Sequence, residues 1–228
     1  MDLPEPSMRK TKAEAEETRH QLLDAAEAVF LERGVADASL AAIAEAAGMT
    51  RGAIYWHFRD KTHLYDEMVR RVRLPLVTMR EAYDGELGGD PVAVLEKLCL
   101  TAIRHLLRDE RTRRVYTIVL HRRARRPGEP ATAGEAENRE QAEAAFRSCF
   151  EAAQRQGRLH PALSPDTALD ALIAFFTGLL FIWLQEPERL DLEGEAECLF
   201  RVFLRGLVRP ASSADPRGDR AGGADEER

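Results

Sequence analysis

The sequence predicts an all-α protein of about nine helices, and three observations carry that prediction. Its 228 residues are rich in Ala, Glu, Leu and Arg but hold only 15 Gly and 11 Pro, a composition that favours helices over sheets. Apolar residues recur at the three-and-four spacing of amphipathic helices through most of the chain, and no segment alternates with the period of two that marks a half-buried strand. A hydrophobic content of 44% is enough for a real core. The net charge of −6 excludes a uniformly basic nucleic-acid coat, while leaving room for a local basic patch.

The elements follow in order. Met1–Ser7 has two prolines and no apolar pattern, and helical character begins just after Met8, an alternative start. From about Lys12 to Arg33, Leu22, Leu23, Ala26, Val29 and Phe30 form one stripe, and Gly34 is the residue type that ends helices. Ser39 is an N-cap for a short second helix that turns Leu40, Ile43, Ala44 and Ala47 inward. Gly48 punctuates, Thr50 caps a third helix reaching about Phe58, and Asp60 caps a fourth that starts near Lys61 and meets Pro75. After a break at Gly85–Pro91, further helices are expected at about 91–108, 111–122, 135–157, 165–186 and 191–208. The Pro/Gly/Ser/Asp-rich stretch 209–228 is expected to be a disordered tail.

Function concentrates in Ser39–Phe58, SLAAIAEAAGMTRGAIYWHF. Two short helices joined at a glycine are the sequence form of a helix-turn-helix. At 100° per residue, Ile54 and Phe58 share the inward face of the third helix, while Gly52, Ala53 and Trp56 fall outward, flanked by Tyr55 and His57. A solvated face normally carries Lys and Glu; small residues beside Arg51 suit close approach to base edges in a major groove. Tyr55 and His57 suit phosphates, as do Lys61 and the helix starts at Ser39 and Thr50. Arg9, Lys10 and Lys12 form a basic arm able to reach the backbone or minor groove. Paired short helices also occur in ordinary bundles, so spacing alone leaves both readings open.

The residues Arg9–Arg19 (RKTKAEAEETR), Gly34-Val35, Ile43-Ala44, Thr50–Phe58 (TRGAIYWHF) and Lys61 together resemble the N-terminal domain of the TetR family of bacterial transcriptional regulators, specifically its AcrR-type subgroup. The resemblance covers about residues 9–65. It implies phosphate contacts at Ser39, Thr50, Tyr55, His57 and Lys61, base-facing positions at Arg51, Gly52 and Ala53, and repression of a multidrug efflux operon of the RND type. It also implies a bacterial cytoplasmic protein that binds a palindromic operator as a homodimer. Val115–Ala124 (VYTIVLHRRA) departs from the subgroup, carrying basic groups where acidic ones are common. Cationic drugs therefore do not carry over as the ligand class.

The expected organisation is a tail at 1–8, a three-helix helix-turn-helix DNA-binding domain at 9–62, a helical ligand-binding and dimerisation domain at 63–208, and a second tail. Leu169–Leu184 is apolar on nearly every side and needs cover beyond the chain's own core. A second copy is the natural cover, with Ala174 and Gly178 allowing close approach and Leu199, Val202, Phe203 and Gly206 adding a stripe from the last helix. The apolar run Ala171–Leu184 by itself is too short for a membrane span. Tyr116, Phe146, Phe150, Phe175, Phe176 and Trp183 are candidates to line a pocket for an apolar or amphipathic inducer, with His121 and Cys149 adding polarity. Each aromatic taken singly is equally a core residue. The Arg-rich runs 111–114 and 122–126 are able to bind an anion but read first as solvated, the second complementing the end of its helix.

Cys99, Cys149 and Cys198 are far apart and form no metal knuckle or CxxC pair. HExxH, GxSxG, GxGxxG and P-loop patterns do not occur, so the sequence calls for no cofactor, metal or enzyme activity. The alternatives are a DNA binder whose C-terminal half docks a protein partner, and an all-α enzyme with a coincidental helix-turn-helix.

Overall fold

The computed structural model describes residues 12–86, 89–125 and 128–209. Arg9, Lys10 and most of both expected tails lie outside the described residues. Among those described are ten helices: α1 (Lys12–Asp37), α2 (Leu40–Ala46), α3 (Arg51–His57), α4 (Lys61–Arg70), α5 (Leu76–Glu86), α6 (Pro91–Arg108), α7 (Glu110–Arg125), α8 (Ala133–Arg155), α9 (Pro165–Gln185) and α10 (Leu192–Leu207). The one extended pairing described is an isolated bridge, Leu159 to Val208.

The count exceeds nine because the expected fourth helix is two. α4 stops at Arg70 and α5 starts at Leu76, leaving a joint at 71–75. Pro75 has no N–H to donate and pushes the residue before it out of the helical region. Gly34 interrupts α1 as expected, with φ at +82°, and a final turn follows it.

Two clusters of buried side chains divide the chain. In the head, Leu22, Leu23, Ile43, Ile54, Phe58, Leu64, Tyr65 and Met68 come from α1–α4 and the turn after α3, and Val115 and Ile118 of α7 close the cluster. The second cluster joins Leu95 and Leu98 of α6, Phe150 of α8, Leu172 of α9 and Phe200 of α10. Tyr116 and Leu120 of α7 pack against this second cluster as well, so α7 serves both and fixes the head on the body.

The seam between head and body is charged. Glu27 of α1, 1% exposed, accepts from Arg71 at 3.2 Å and from Arg114 at 3.1 Å, and Arg111 stands 3.4 Å away. Arg122 pairs with Glu135 and Glu129 and is largely buried. These contacts correct the expectation of solvated runs: α7 packs on α1, so Arg111 and Arg114 meet buried Glu27, while Arg122 and Arg123 meet buried Glu135 of α8.

α9 also departs from expectation. At 21 residues it is long and apolar enough to cross a membrane by length and composition. The apolar run extends beyond Ala171–Leu184 once Ala168, Leu169 and the rest of the first turns are included. Of its residues only Ala168, Leu169, Leu172, Leu179 and Leu180 are buried within the chain, so this helix is not covered by its own core.

Candidate nucleic-acid interface and ligand cavity

Local capping builds the reading head. Ser39 Oγ accepts from the Ala42 N–H at 3.1 Å and Thr50 Oγ1 from the Ala53 N–H at 3.3 Å, starting α2 and α3 as the sequence indicates. Ile54 and Phe58 are fully buried, and the opposite face of α3 is open: Trp56 is 73% and Tyr55 48% exposed. The Arg51 guanidinium lies 5.7 Å from the Tyr55 ring centre, and Trp56 meets the His57 ring edge-on at 4.5 Å. Arg51 and Gly52 are exposed, Ala53 and His57 half-buried. One small face therefore gathers a cation, two large aromatics and the two smallest side chains.

Lys61 has a use the sequence did not suggest. Its ammonium donates to the carbonyls of Val35 at 2.6 Å, Ala36 at 2.8 Å and Ala38 at 2.8 Å. Those groups lie at the end of α1, where carbonyls lack intrahelical partners and the helix dipole favours a cation. Lys61 thus ties α1 to α4 instead of standing free for a phosphate.

Below the head a cavity of about 290 Å³ opens between α4–α9. Tyr116, Phe146 and Phe176 line it, as the aromatic pattern indicates. The other three expected aromatics do not. Phe150 is fully buried in the body core. Phe175 stacks on Phe203 at 4.1 Å with planes 2° apart and meets Phe200 edge-on, and Trp183 lies 6.0 Å from the Arg113 guanidinium. Helical spacing explains the split, because Phe175 and Phe176 are adjacent and so point about 100° apart. His121 bonds Gln185 at 3.1 Å, and the Cys149 thiol bonds the Ala145 carbonyl. Burial pushes the Cys149 thiol up to about 11, and the Cys99 thiol higher still.

The cavity also takes in residues that pattern reading missed. Val72, Arg73 and Leu74 of the α4–α5 joint form part of its wall. Glu135 and Asn138 of α8 form another part, and the Asn138 Oδ1 is buried without a partner. Among the described residues no group of three His, Cys, Asp or Glu is placed to hold a metal ion.

On the far side, Ala174, Gly178, Val202 and Gly206 are exposed, with Leu199 and Phe203 half-buried. A Cβ at Gly178 or Gly206 would meet nothing within 4 Å. Phe181 and Ile182 of α9 are exposed as well, and the stack of Phe175 on Phe203 links α9 to α10 beside these residues.

Two family models match successive parts of the chain. Residues 22–68 match the family model described as bacterial regulatory proteins, tetR family, and residues 90–208 match that of the MAATS-type transcriptional repressor, C-terminal region. The chain is 37% identical over 197 residues to the transcriptional regulator TtgR of Pseudomonas putida, covering 83% of this chain and 91% of TtgR. Its structure resembles that of NalD, the secondary repressor of the MexAB-OprM multidrug efflux pump in Pseudomonas aeruginosa. That match has a TM-score of 0.71 and 41% identity, over 85% of this chain and 98% of NalD. SmeT, the repressor of the Stenotrophomonas maltophilia efflux pump SmeDEF, matches in its triclosan complex with a TM-score of 0.70 and 30% identity, over 92% of this chain and all of SmeT.

Proposed function

Since the chain belongs to the TetR family of bacterial regulatory proteins, we propose that it is the ligand-responsive repressor of a multidrug efflux operon. The carrying observation is the α3 face, where Trp56 and Tyr55 stand exposed on a helix whose other side is fully buried. Large exposed aromatics flanked by Arg51, Gly52 and Ala53 fit a groove, not water. In this reading Arg51, Gly52, Ala53 and Trp56 face bases. Tyr55, His57 and the helix starts at Ser39 and Thr50 meet phosphates, and Lys61 holds the head together.

Family members dimerise, and α9 and α10 supply the surface we assign to that contact, centred on Ala174, Gly178, Val202 and Gly206. Two reading helices about 34 Å apart address one face of a palindrome. The cavity takes an apolar or amphipathic inducer: its wall is mostly aliphatic and aromatic, with a few polar groups to orient a ligand. An open cavity favours this over a docked protein partner, which the filling of that space by side chains would have favoured. Because the α4–α5 joint is part of the wall, a bound ligand touches the connection to the head directly. Ligand then favours a wider spacing of the two heads, and by linkage operator lowers ligand affinity by the same factor.

The test is a mobility shift on DNA flanking the protein's own gene, repeated with triclosan and with a lipophilic cation such as ethidium. Specific retardation reversed by triclosan supports the reading. Retardation that no compound reverses keeps the DNA role and supports the protein-docking alternative. No retardation at moderate salt removes the proposal.

A further inference from the structure

One carboxylate belongs at once to the cavity and to the reading head. Glu135 sits in the first turn of α8, lines the cavity and is 5% exposed. Its Oε1 accepts the hydroxyl of Tyr65 at 2.6 Å. Tyr65 lies in the middle of α4, is 1% exposed and packs edge-on against Phe30 in the head's core. Arg122 reaches the same carboxylate at 3.2 Å and Arg123 at 3.4 Å. Burial first, and then the bond to Glu135, push the Tyr65 phenol well above its ordinary value, so it remains a donor.

A second contact runs beside the first. Asn138, one turn along α8, donates through Nδ2 to the carbonyl of Val69 at 3.0 Å, and Val69 lies one turn along α4 from Tyr65. The other end of that amide, Oδ1, is the buried atom without a partner. The backbones are close here too: Gly134 N–H donates to Asp66 Oδ1 at 2.9 Å, and a Cβ on Gly134 would lie 2.8 Å from the Asp66 carbonyl oxygen. The start of α8 is thus joined to α4 through Tyr65–Glu135, Asn138–Val69 and Gly134–Asp66, and on the outer side through Arg70 and Glu137 at 2.7 Å; of these partners Glu135 and Asn138 line the cavity.

We propose that Glu135 is the positioning residue that couples cavity occupancy to the reading head, by holding Tyr65 when the cavity is empty and releasing it when a ligand bearing a hydroxyl or amine donor takes the carboxylate. Glu135 and Asn138 present acceptors on one wall, so a donor on an otherwise apolar ligand finds them together. Once Glu135 turns to the ligand, the buried Tyr65 hydroxyl loses its partner and α4 leaves the position that suits DNA. A ligand acts on an equilibrium only through a difference in its contacts with the two states, and this shared carboxylate provides one. The inference rests on the ligand-responsive reading above.

The experiment uses Tyr65→Phe, which keeps the ring against Phe30 and removes only the hydroxyl, and Glu135→Gln, which keeps the side chain's shape. Operator affinity is measured for the full-length protein with and without saturating triclosan, and triclosan binding by calorimetry. Both variants are expected to bind triclosan, to bind operator more weakly than wild type without it, and to show a triclosan-induced loss of affinity at least about fivefold smaller than wild type. A purely structural role would weaken operator binding equally with and without triclosan and leave that ratio unchanged, which overturns the proposal. A wild type whose operator affinity triclosan leaves unchanged overturns the ligand-responsive reading and this inference together, so the two failures are distinguishable.

Discussion

Glu27 of α1 and Arg71, just past the end of α4, meet at 3.2 Å in the seam between head and body, and Arg111 and Arg114 of α7 converge on the same carboxylate. Burial pushes the Glu27 carboxyl up, and Arg114, Arg71 and Arg111 offset part of that rise. The charge is buried because Glu27 lies on the apolar stripe of α1, and it is tolerated because three guanidinium groups answer it.

Removing the carboxylate strands those cations. Glu27→Ala is expected to cost about 3–5 kcal/mol of stability, read from urea unfolding. Arg114→Ala should cost less, since Arg71 and Arg111 still face the acid. Equal losses for the two variants would contradict this division of charge.

Lys61 offers a sharp choice between two roles. Lys61→Met keeps the aliphatic stem and removes three hydrogen bonds to the end of α1. The expected outcome is a stability loss of about 2–3 kcal/mol, together with weaker operator binding. An unchanged unfolding midpoint with lost operator binding would instead assign Lys61 to a phosphate.

The apolar face of α9 and α10 is tested at Val202, 65% exposed in the single chain. Val202→Glu places an unpaired carboxylate in the proposed dimer contact. Dissociation should become easier by at least about a hundredfold, the ~3 kcal/mol scale of a buried uncompensated charge. Sedimentation equilibrium reads this directly, and a variant as dimeric as wild type would move the interface elsewhere.

Acid sensitivity of the body domain traces partly to Asp90. Burial works to raise its carboxyl, but the Arg158 guanidinium at 2.7 Å and the amides of Ala93 and Val92 outweigh burial and hold it below its ordinary value. A carboxyl depressed on folding stabilises the protein above its unfolded pKa of about 4 and loses that contribution as pH falls through the folded value. Asp90→Ala should cost about 1 kcal/mol at neutral pH as a lost N-cap and flatten the acid dependence of the unfolding midpoint. An identical acid slope in variant and wild type would rule this out.

The head was legible in the sequence because its signals are local. Ser39, Thr50 and Asp60 each cap the helix they precede, and Ile54 with Phe58 declares the inward face of α3. The body was legible only in outline. Phe175 and Phe176 differ by one position and both meet Phe200, yet Phe175 stacks on Phe203 while Phe176 lines the cavity; composition cannot separate them, and only the packing of α9 on α8 and α10 does. Arg111, Arg114 and Arg122 looked like surface residues because their partners, Glu27 and Glu135, are distant or face inward only after folding. The α4–α5 joint was marked by Pro75, but its place in the cavity wall depends on how α5 packs on α6 and α8.

The most direct test of the central claim is an equilibrium titration of the protein with duplex DNA flanking its own gene, over a range of salt, for wild type, Tyr55→Ala and Trp56→Ala. Wild type should bind this DNA in preference to unrelated duplex, with an affinity that falls steadily as salt rises. The two variants should lose at least about tenfold, ~1.4 kcal/mol, while unfolding at the wild-type midpoint. Equal binding to unrelated duplex, or variants that bind as tightly as wild type, would contradict the assignment of the exposed α3 face to operator DNA.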